Sequence, residues 1–249
     1  MDTESPDRPR AEAEPAPRHP GLFVRLYREE QQAWRRDYRR YFAVAARVLG
    51  LGFIAGYLYF TIWPAQESRA LALVIQSLKD ISLKAAPLAL ALNLFYHNVR
   101  ASAVAVATGL VPYLSLPILD TLLNGGVLGL LVSIAKHQHL PVLKLIMTQI
   151  LPHGLFELTG VLYATSVGLY LSAAMGRKVR AARLKKRAAG QPVPVTPGED
   201  HFLEAYAERT AAASLASPGR NVVRSFVLVV LPLLFVAAMI EGLITPHLR

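Results

Sequence analysis

A histidine and a glutamate four residues apart, His153 and Glu157, lie within a long apolar segment of the chain. Positions i and i+4 share one face of an α-helix, so the two side chains would point to the same side. Two ionisable groups on one face of a membrane-spanning helix are costly to bury and suggest a functional site. Imidazole and carboxylate are also metal-ligand types, as in half of a metalloprotease helix. The pair therefore predicts either an internal polar contact or part of a ligand site.

The composition indicates a helical membrane protein. Of the 249 residues, 53% are hydrophobic, and these residues are concentrated in long apolar runs. Cysteine is absent, which excludes disulfides and thiolate metal sites. The net charge of +10 comes from Lys and Arg clusters beside apolar runs. Since no base-reading module accompanies these clusters, we expect no nucleic acid partner.

We predict an all-α, polytopic transmembrane helical bundle of about five spans with amphipathic interfacial helices. The predicted spans cover roughly 42–63, 99–119, 120–136, 142–175 and 222–244. The third span is short, and a re-entrant segment is an alternative there. Pro112 and Pro117 predict a kink or break within the second span.

Charge and proline content divide the rest of the chain. Residues 1–20 predict a disordered tail, and residues 21–41 a basic amphipathic cytoplasmic helix. The transmembrane domain then extends over 42–249 and includes a basic cytoplasmic loop at 177–221. A further amphipathic helix within 65–97 would lie at the membrane interface and break near Pro87.

Small residues recur at fourfold spacing, which permits close contact between membrane helices. One stripe lies on span four and comprises Gly160, Ala164, Gly168, Ser172 and Gly176. Shorter pairs are Gly52 with Gly56 on span one, and Gly125 with Gly129 on span three. We expect span four to lie at the centre of the bundle, and some stripes to face a partner.

The predicted topology collects polar residues from three spans near the outer side of the membrane. They are Asn98, Arg100, His153, Glu157 and Glu241. Because a buried charge requires a partner, we expect Arg100 to pair with Glu157 or Glu241 in a structural clamp. The alternatives are a substrate or ion pathway and a metal or catalytic site. The clamp interpretation implies no catalytic residue, metal or cofactor. Asn124, with Gly125 and Gly129, forms a separate motif on the inner side.

Four ordered strings resemble the stage II sporulation protein M family of bacterial and archaeal membrane proteins. They are HNVRASAVAVATG at 97–109, LNGGVLG at 123–129, LPHGLFEL at 151–158 and IEGLITP at 240–246. The resemblance covers roughly residues 42–249, with His97 where the family often has Asn. It implies an integral membrane protein without an established enzymatic activity. In endospore formers the namesake works with two partners in engulfment, as the membrane anchor of a peptidoglycan-degrading complex.

We therefore expect a multi-pass scaffold or assembly protein of a prokaryotic cytoplasmic membrane. Its partners would be the lipid bilayer and either other membrane proteins or further copies of the chain. One alternative is a transporter or channel for a small solute or lipid that uses the outer polar residues and the broken 110–129 region. The other is an intramembrane metal-dependent enzyme.

The distribution of Lys and Arg predicts the topology. We expect the N-terminus and the 177–221 loop on the cytoplasmic side, and residues 65–97 and 137–141 outside. Because the chain has no cysteine, introduced cysteines can be labelled singly. Ala189→Cys should react with a membrane-impermeant maleimide only after cells are opened, whereas Gln138→Cys should react in intact cells. Labelling of Ala189→Cys in intact cells would overturn this topology.

Overall fold

The computed structural model describes residues 21–77, 86–112, 116–189 and 218–244. These residues form helices joined by short connections, with no strand among them, which confirms the expected all-α class. The predicted tail at 1–20 and most of the predicted basic loop lie outside the described residues.

The α-helices follow one another along the chain with few long connections. They are α1 Leu22–Ala33, α2 Arg39–Ile62, α3 Glu67–Ser77, α4 Pro87–Thr108, α5 Leu116–His137, α6 Val142–Leu145, α7 Leu151–Ala188, α8 Pro218–Ser225 and α9 Leu231–Met239. Single π-helical turns join α1 to α2, α6 to α7 and α8 to α9, at Trp34–Tyr38, Ile146–Ile150 and Phe226–Val230. A further π-helical turn, Ile240–Ile244, continues α9. Three stretches of the described chain are therefore long continuous rods, namely Leu22 to Ile62, Val142 to Ala188 and Pro218 to Ile244.

Four helical segments of the described chain are long and apolar enough to cross a membrane. They are Leu22–Ile62, Leu116–His137, Leu151–Arg183 and Gly219–Ile244. Helix α4 is the fifth candidate, and at 22 residues it is long enough to cross. The polytopic helical bundle is thus confirmed, with a span count of four or five.

Helix α4 differs from the predicted second span. It begins at Pro87 and ends at Thr108, whereas the predicted span covered 99–119. Pro87 occupies the first turn of the helix, where proline is favourable because it leaves no backbone donor unpaired, so it starts the helix rather than breaking one. Asn98 and Arg100 consequently lie in the middle of α4 and not at its end.

Helix α7 lies at the centre of the structure. Every residue from Leu162 to Ser172 is buried. In its apolar window 72% of the residues are buried, compared with 11%, 33% and 28% in the other three candidate spans. The small-residue stripe of span four, from Gly160 to Gly176, runs along this helix.

Two glycines of the stripe allow different neighbours to approach α7. A Cβ atom on Gly160 would lie 3.0 Å from a methyl carbon of Leu234 in α9. One on Gly168 would lie 2.9 Å from the carbonyl oxygen of Ala105 in α4 and 3.0 Å from Pro117 in α5. The stripe is therefore used for contacts within the chain.

Helices α4 and α7 run parallel. Near one end, Asn98 lies opposite Glu157, with a hydrogen bond of 2.9 Å between their side chains. Farther along, the Ser172 hydroxyl donates to the carbonyl oxygen of Val111 at 3.2 Å. The first contact joins α4 to α7, and the second joins α7 to the turn that follows α4. Both lie inside an apolar bundle, where an unpaired polar group would be costly.

Helices α2 and α5 face each other through four glycines, so no side chain separates their backbones at these positions. They are Gly52 and Gly56 on α2, and Gly125 and Gly129 on α5. A Cβ atom on Gly56, for example, would lie 2.6 Å from the carbonyl oxygen of Gly126. Such short distances mean that the two backbones are in direct contact, as expected for GxxxG pairs. These pairs also face each other within the chain.

The N-terminal helix is anchored to the bundle by a buried ionic network. Glu30 is only 3% exposed and accepts hydrogen bonds from Tyr163 at 2.6 Å and from Arg224 at 2.9 Å. Arg224 also donates to the carboxylate of the neighbouring Glu29 at 2.9 Å. Trp34 stacks on the same Tyr163 ring, with centroids 5.4 Å apart. Helix α1 therefore crosses α7 at Tyr163, a burial that its amphipathic pattern did not predict.

The α2–α5 contact can be tested with two glycines of one helix. Gly56→Ala should destabilise the protein by about 1–3 kcal/mol, because the added methyl group would press on the α5 backbone. Gly50→Ala should instead leave the stability unchanged or raise it by up to about 1 kcal/mol, because Gly50 is exposed, a Cβ atom there would meet nothing within 4 Å, and alanine favours the helix. Thermal unfolding in detergent measures both. Equal effects would refute the backbone contact.

The Glu30 network predicts a second pattern of stabilities. Arg224→Met should destabilise the protein by about 3–5 kcal/mol, because it leaves the Glu30 carboxylate buried without its cation. Adding Glu30→Gln to Arg224→Met should recover part of the loss. Glu29→Gln is the matched control and should cost less than about 1 kcal/mol, as that side chain is 35% exposed. A double variant no more stable than Arg224→Met would contradict the pairing.

Candidate functional site between α4, α7 and α9

Three ionisable side chains meet between the beginning of α7 and the π-helical turn that follows α9. His153 and Glu157 lie one turn apart on α7, and Glu241 lies on the π-helical turn that follows α9. One possible ligand atom from each residue lies within 4.8 Å of the other two. Asn98 of α4 donates its side-chain N–H to Glu157 at 2.9 Å. We refer to Asn98, His153, Glu157 and Glu241 as the polar cluster.

Close packing between α4 and the last described segment brings Glu241 to the cluster. A Cβ atom on Gly242 would lie 2.6 Å from the Cβ of Ala91, so glycine is required for this approach. One step away, the rings of Phe95 and Phe235 pack edge to face with centroids 5.6 Å apart. The residue numbers rise from Ala91 to Phe95 on α4 but fall from Gly242 to Phe235 on the facing segment, so α4 and α9 are antiparallel.

π-Helical turns accompany both segments that supply the ionisable groups. Ile146–Ile150 immediately precedes α7 and His153, and Ile240–Ile244 contains Glu241. A π-helical turn accommodates one extra residue in a helix and is often found at functional sites. Such a turn changes the face on which later side chains project, so the first turn sets the face of His153 on α7.

The hydrogen bonding of His153 is incomplete. Its Nδ1 atom is buried and has no hydrogen-bond partner within the described ranges. Its Nε2 atom lies 4.0 Å from a carboxylate oxygen of Glu241, which is longer than a hydrogen bond. The His153 side chain is 15% exposed, so water has limited access to it. A buried imidazole without a partner is unfavourable and calls for an explanation.

The charges of the cluster are also unbalanced. Glu157 and Glu241 offer oxygens within 4.8 Å of each other, and no Lys or Arg of the described chain forms an ion pair with either. Two carboxylates at that distance repel each other by roughly 3 kcal/mol at an effective dielectric constant near 20. A proton or a bound cation would remove this repulsion.

The structure does not bring Arg100 into the polar cluster, contrary to the expected pairing with Glu157 or Glu241. Arg100 is exposed and lines a groove of about 420 Å³ between α4 and α5, together with His97 and Asp120. The reason is the helical period: residues two apart point about 200° from each other, so Asn98 and Arg100 cannot face the same neighbour.

The inner-side motif forms a local contact within α5. Asn124 donates to the backbone carbonyl of Asp120 at 3.0 Å and to its carboxylate at 3.3 Å. Gly125 and Gly129 face α2, as described above. This motif therefore serves helix packing and lies apart from the polar cluster.

The Glu30 network is the polar site that the sequence analysis missed. Its signal was Arg224, a cation inside the apolar run that forms the last span. The rule that required a partner for Arg100 required one for Arg224 as well. Glu30 was hard to single out as that partner, because it lies among the many charges of the N-terminal helix.

Comparison with known families gives a match over residues 43–246 to the family described as stage II sporulation protein M. The matched region contains all four residues of the polar cluster and excludes Glu30. The curated proteins and the solved structures contain no significant match. The match covers most of the chain and agrees with its apolar helices. The chain is a membrane protein that belongs to the stage II sporulation protein M family.

Proposed function

We propose that this chain is a scaffold that anchors a cell-envelope assembly in a prokaryotic cytoplasmic membrane. The observation that carries the proposal is the continuous helix from Val142 to Ala188. At 1.5 Å per residue it is roughly 70 Å long, more than twice the thickness of a hydrocarbon core of about 30 Å. A large part of this helix must therefore project from the membrane.

The projecting end of this helix is strongly basic. It carries Arg177, Lys178, Arg180, Arg183, Lys185, Lys186 and Arg187. Lys178 and Lys186 are exposed, and Arg177 lies over the ring of Tyr170 at 5.9 Å. We call residues 177–188 the basic stalk. Because the same helix is buried at the centre of the bundle, the stalk has a rigid attachment to the membrane-embedded part.

The packing of the bundle supports a partner that contacts the part of the chain projecting from the lipid bilayer. The GxxxG glycines of α2 and α5 and two glycines of the α7 stripe make contacts within the chain, so these small-residue faces are occupied. The exposed faces of α2 carry residues such as Leu51, Ile54 and Leu58, which suit contact with lipid tails. The basic stalk thus remains as a charged surface suited to an acidic protein partner.

Family membership supports an envelope role for such an assembly. The resemblance described above implies the membrane anchor of a peptidoglycan-degrading complex, with an engulfment role in a source that forms endospores. The scaffold assigned to this chain would hold a comparable set of partners at the membrane without itself performing chemistry.

A transporter is the second candidate, and the groove between α4 and α5 favours it. The groove places Arg100 and Asp120 on the lining of a volume of about 420 Å³. Opposite charges in one groove suit a small zwitterionic solute. This candidate predicts uptake into vesicles that Arg100→Ala and Asp120→Ala abolish without loss of folding.

Charge reversal on the stalk tests the scaffold. The full-length chain, extracted from its native membrane in lipid nanodiscs, should co-purify with partners in a fixed ratio. Lys178→Glu with Lys186→Glu should remove most of the partners while leaving yield and Tm unchanged, because both side chains are exposed. Arg69→Glu with Lys144→Glu is the matched control, at exposed positions on α3 and α6, and should retain them.

Two results would overturn the scaffold. One is a chain that leaves its native membrane without any partner in a fixed ratio. The other is equal recovery of partners with the stalk variant and the control variant. Solute uptake that depends on Arg100 would then favour the transporter.

A further inference from the structure

We propose that His153, Glu157 and Glu241 bind a divalent transition-metal ion, with zinc as the best match. The bound ion would tie the beginning of α7 to the end of the last described segment. This inference is independent of the scaffold, because it concerns a site at the opposite end of the long helix from the basic stalk.

The donor set fits zinc. Zinc takes imidazole nitrogen and carboxylate oxygen at about 2.0–2.2 Å, which places neighbouring ligands of a tetrahedron about 3.4 Å apart. The ligand atoms of the three residues lie within 4.8 Å of one another. Side-chain rotations that move these atoms by about 1 Å would bring them to the separation that zinc requires. The spacing of His153 and Glu157 places two ligands on one face of one helix.

Asn98 acts as the positioning residue for this site. Its side chain donates to one oxygen of Glu157 at 2.9 Å and leaves the other oxygen for the ion. Carboxylates that bind metals are commonly held by such a hydrogen bond, which fixes their orientation. Asn98 comes from α4, so the proposed site involves three separate elements of the bundle.

A bound ion would also supply a partner that His153, Glu157 and Glu241 lack within the described chain. His153 makes no hydrogen bond among the described residues, and Glu157 and Glu241 have no Lys or Arg partner there. A divalent cation would accept the imidazole lone pair and neutralise both carboxylates. Arg100 cannot perform the second task, because it lies on another face of α4.

Three protein ligands leave one zinc position open for water or a partner's side chain. The cluster is only partly exposed, with Glu241 at 32%, so such a fourth ligand could reach the ion. The principal role of the ion would be to fix helix α7 against the C-terminal segment. We therefore expect metal removal to loosen that contact.

Metal binding should be measured on the full-length chain, purified with a tag that lacks histidine and treated with chelator. After zinc is added back and the excess is removed by desalting, we expect one zinc per chain by elemental analysis and a Tm several degrees above that of the metal-free protein. Cobalt should give the visible absorption bands of a four-coordinate site. His153→Gln and Glu241→Gln should each weaken zinc binding at least about tenfold while retaining the yield and elution of the wild type.

The matched control is His137→Gln, which removes another histidine beside a glutamate. His137 lies 3.0 Å from Glu67 and outside the cluster, so its variant should bind zinc normally. Asn98→Ala should weaken binding less than Glu241→Gln, as expected of a positioning residue.

Several outcomes would overturn the metal site. They are zinc binding below one ion per chain, unchanged binding in Glu241→Gln, and binding of calcium or magnesium alone. If Tm responds to Glu157→Gln and Glu241→Gln but not to zinc, the carboxylates share a proton, and the metal proposal fails. None of these results depends on whether the basic stalk binds a partner.

Discussion

Direct backbone contact between helices is the constraint on which the rest of this structure depends. In lipid, apolar side chains gain little by leaving the solvent, so helices associate through close packing and polar contacts. Gly168 allows α4 and α5 to reach the backbone of α7, and the glycines of α2 and α5 allow those two helices to touch. Gly242 does the same for the segment that carries Glu241. The position of Glu241 in the polar cluster follows from the last of these contacts.

The two buried polar sites satisfy their charges in different ways. Around Glu30, an arginine and a tyrosine hydroxyl meet the carboxylate at hydrogen-bond distances. Around Glu157, an asparagine donates one hydrogen bond, and the remaining charge has a histidine and a second glutamate as its neighbours. The first site is complete with protein groups alone and serves as an anchor. The second has no Lys or Arg partner among the residues that the structure describes, which is the basis for assigning it a ligand.

Much of the architecture follows from local patterns in the sequence. Apolar runs of sufficient length predicted the helical membrane protein, and fourfold spacing identified the residues of α7 that its neighbours contact. The same reasoning grouped His153 with Glu157 and Glu241 before their positions were known. Each of these patterns reflects a property of one helix, its length or the face that it presents.

What the sequence did not predict depends on relations between helices. Arg100 was assigned a partner from its depth alone, although its angular position on α4 directs it toward Asp120 and away from Glu157. Arg224 has its partner on α1, 194 residues away in the sequence. The sequence placed the start of α4 too late, because a proline such as Pro87 can either break a helix or begin one. The packing of Ala91 on Gly242 shows that the helix begins at Pro87.

The uninterrupted course of α7 means that its two ends cannot move independently. His153 and Lys178 are separated by roughly 38 Å of helix, so a tilt of about 5° displaces one end by some 3 Å relative to the other. Any binding event that selects one tilt at the polar cluster therefore changes the position of the basic stalk. Where both surfaces bind, thermodynamic linkage would require any effect of one binding event on the other to be reciprocal. A single rod thus connects the two surfaces mechanically without any intermediate domain.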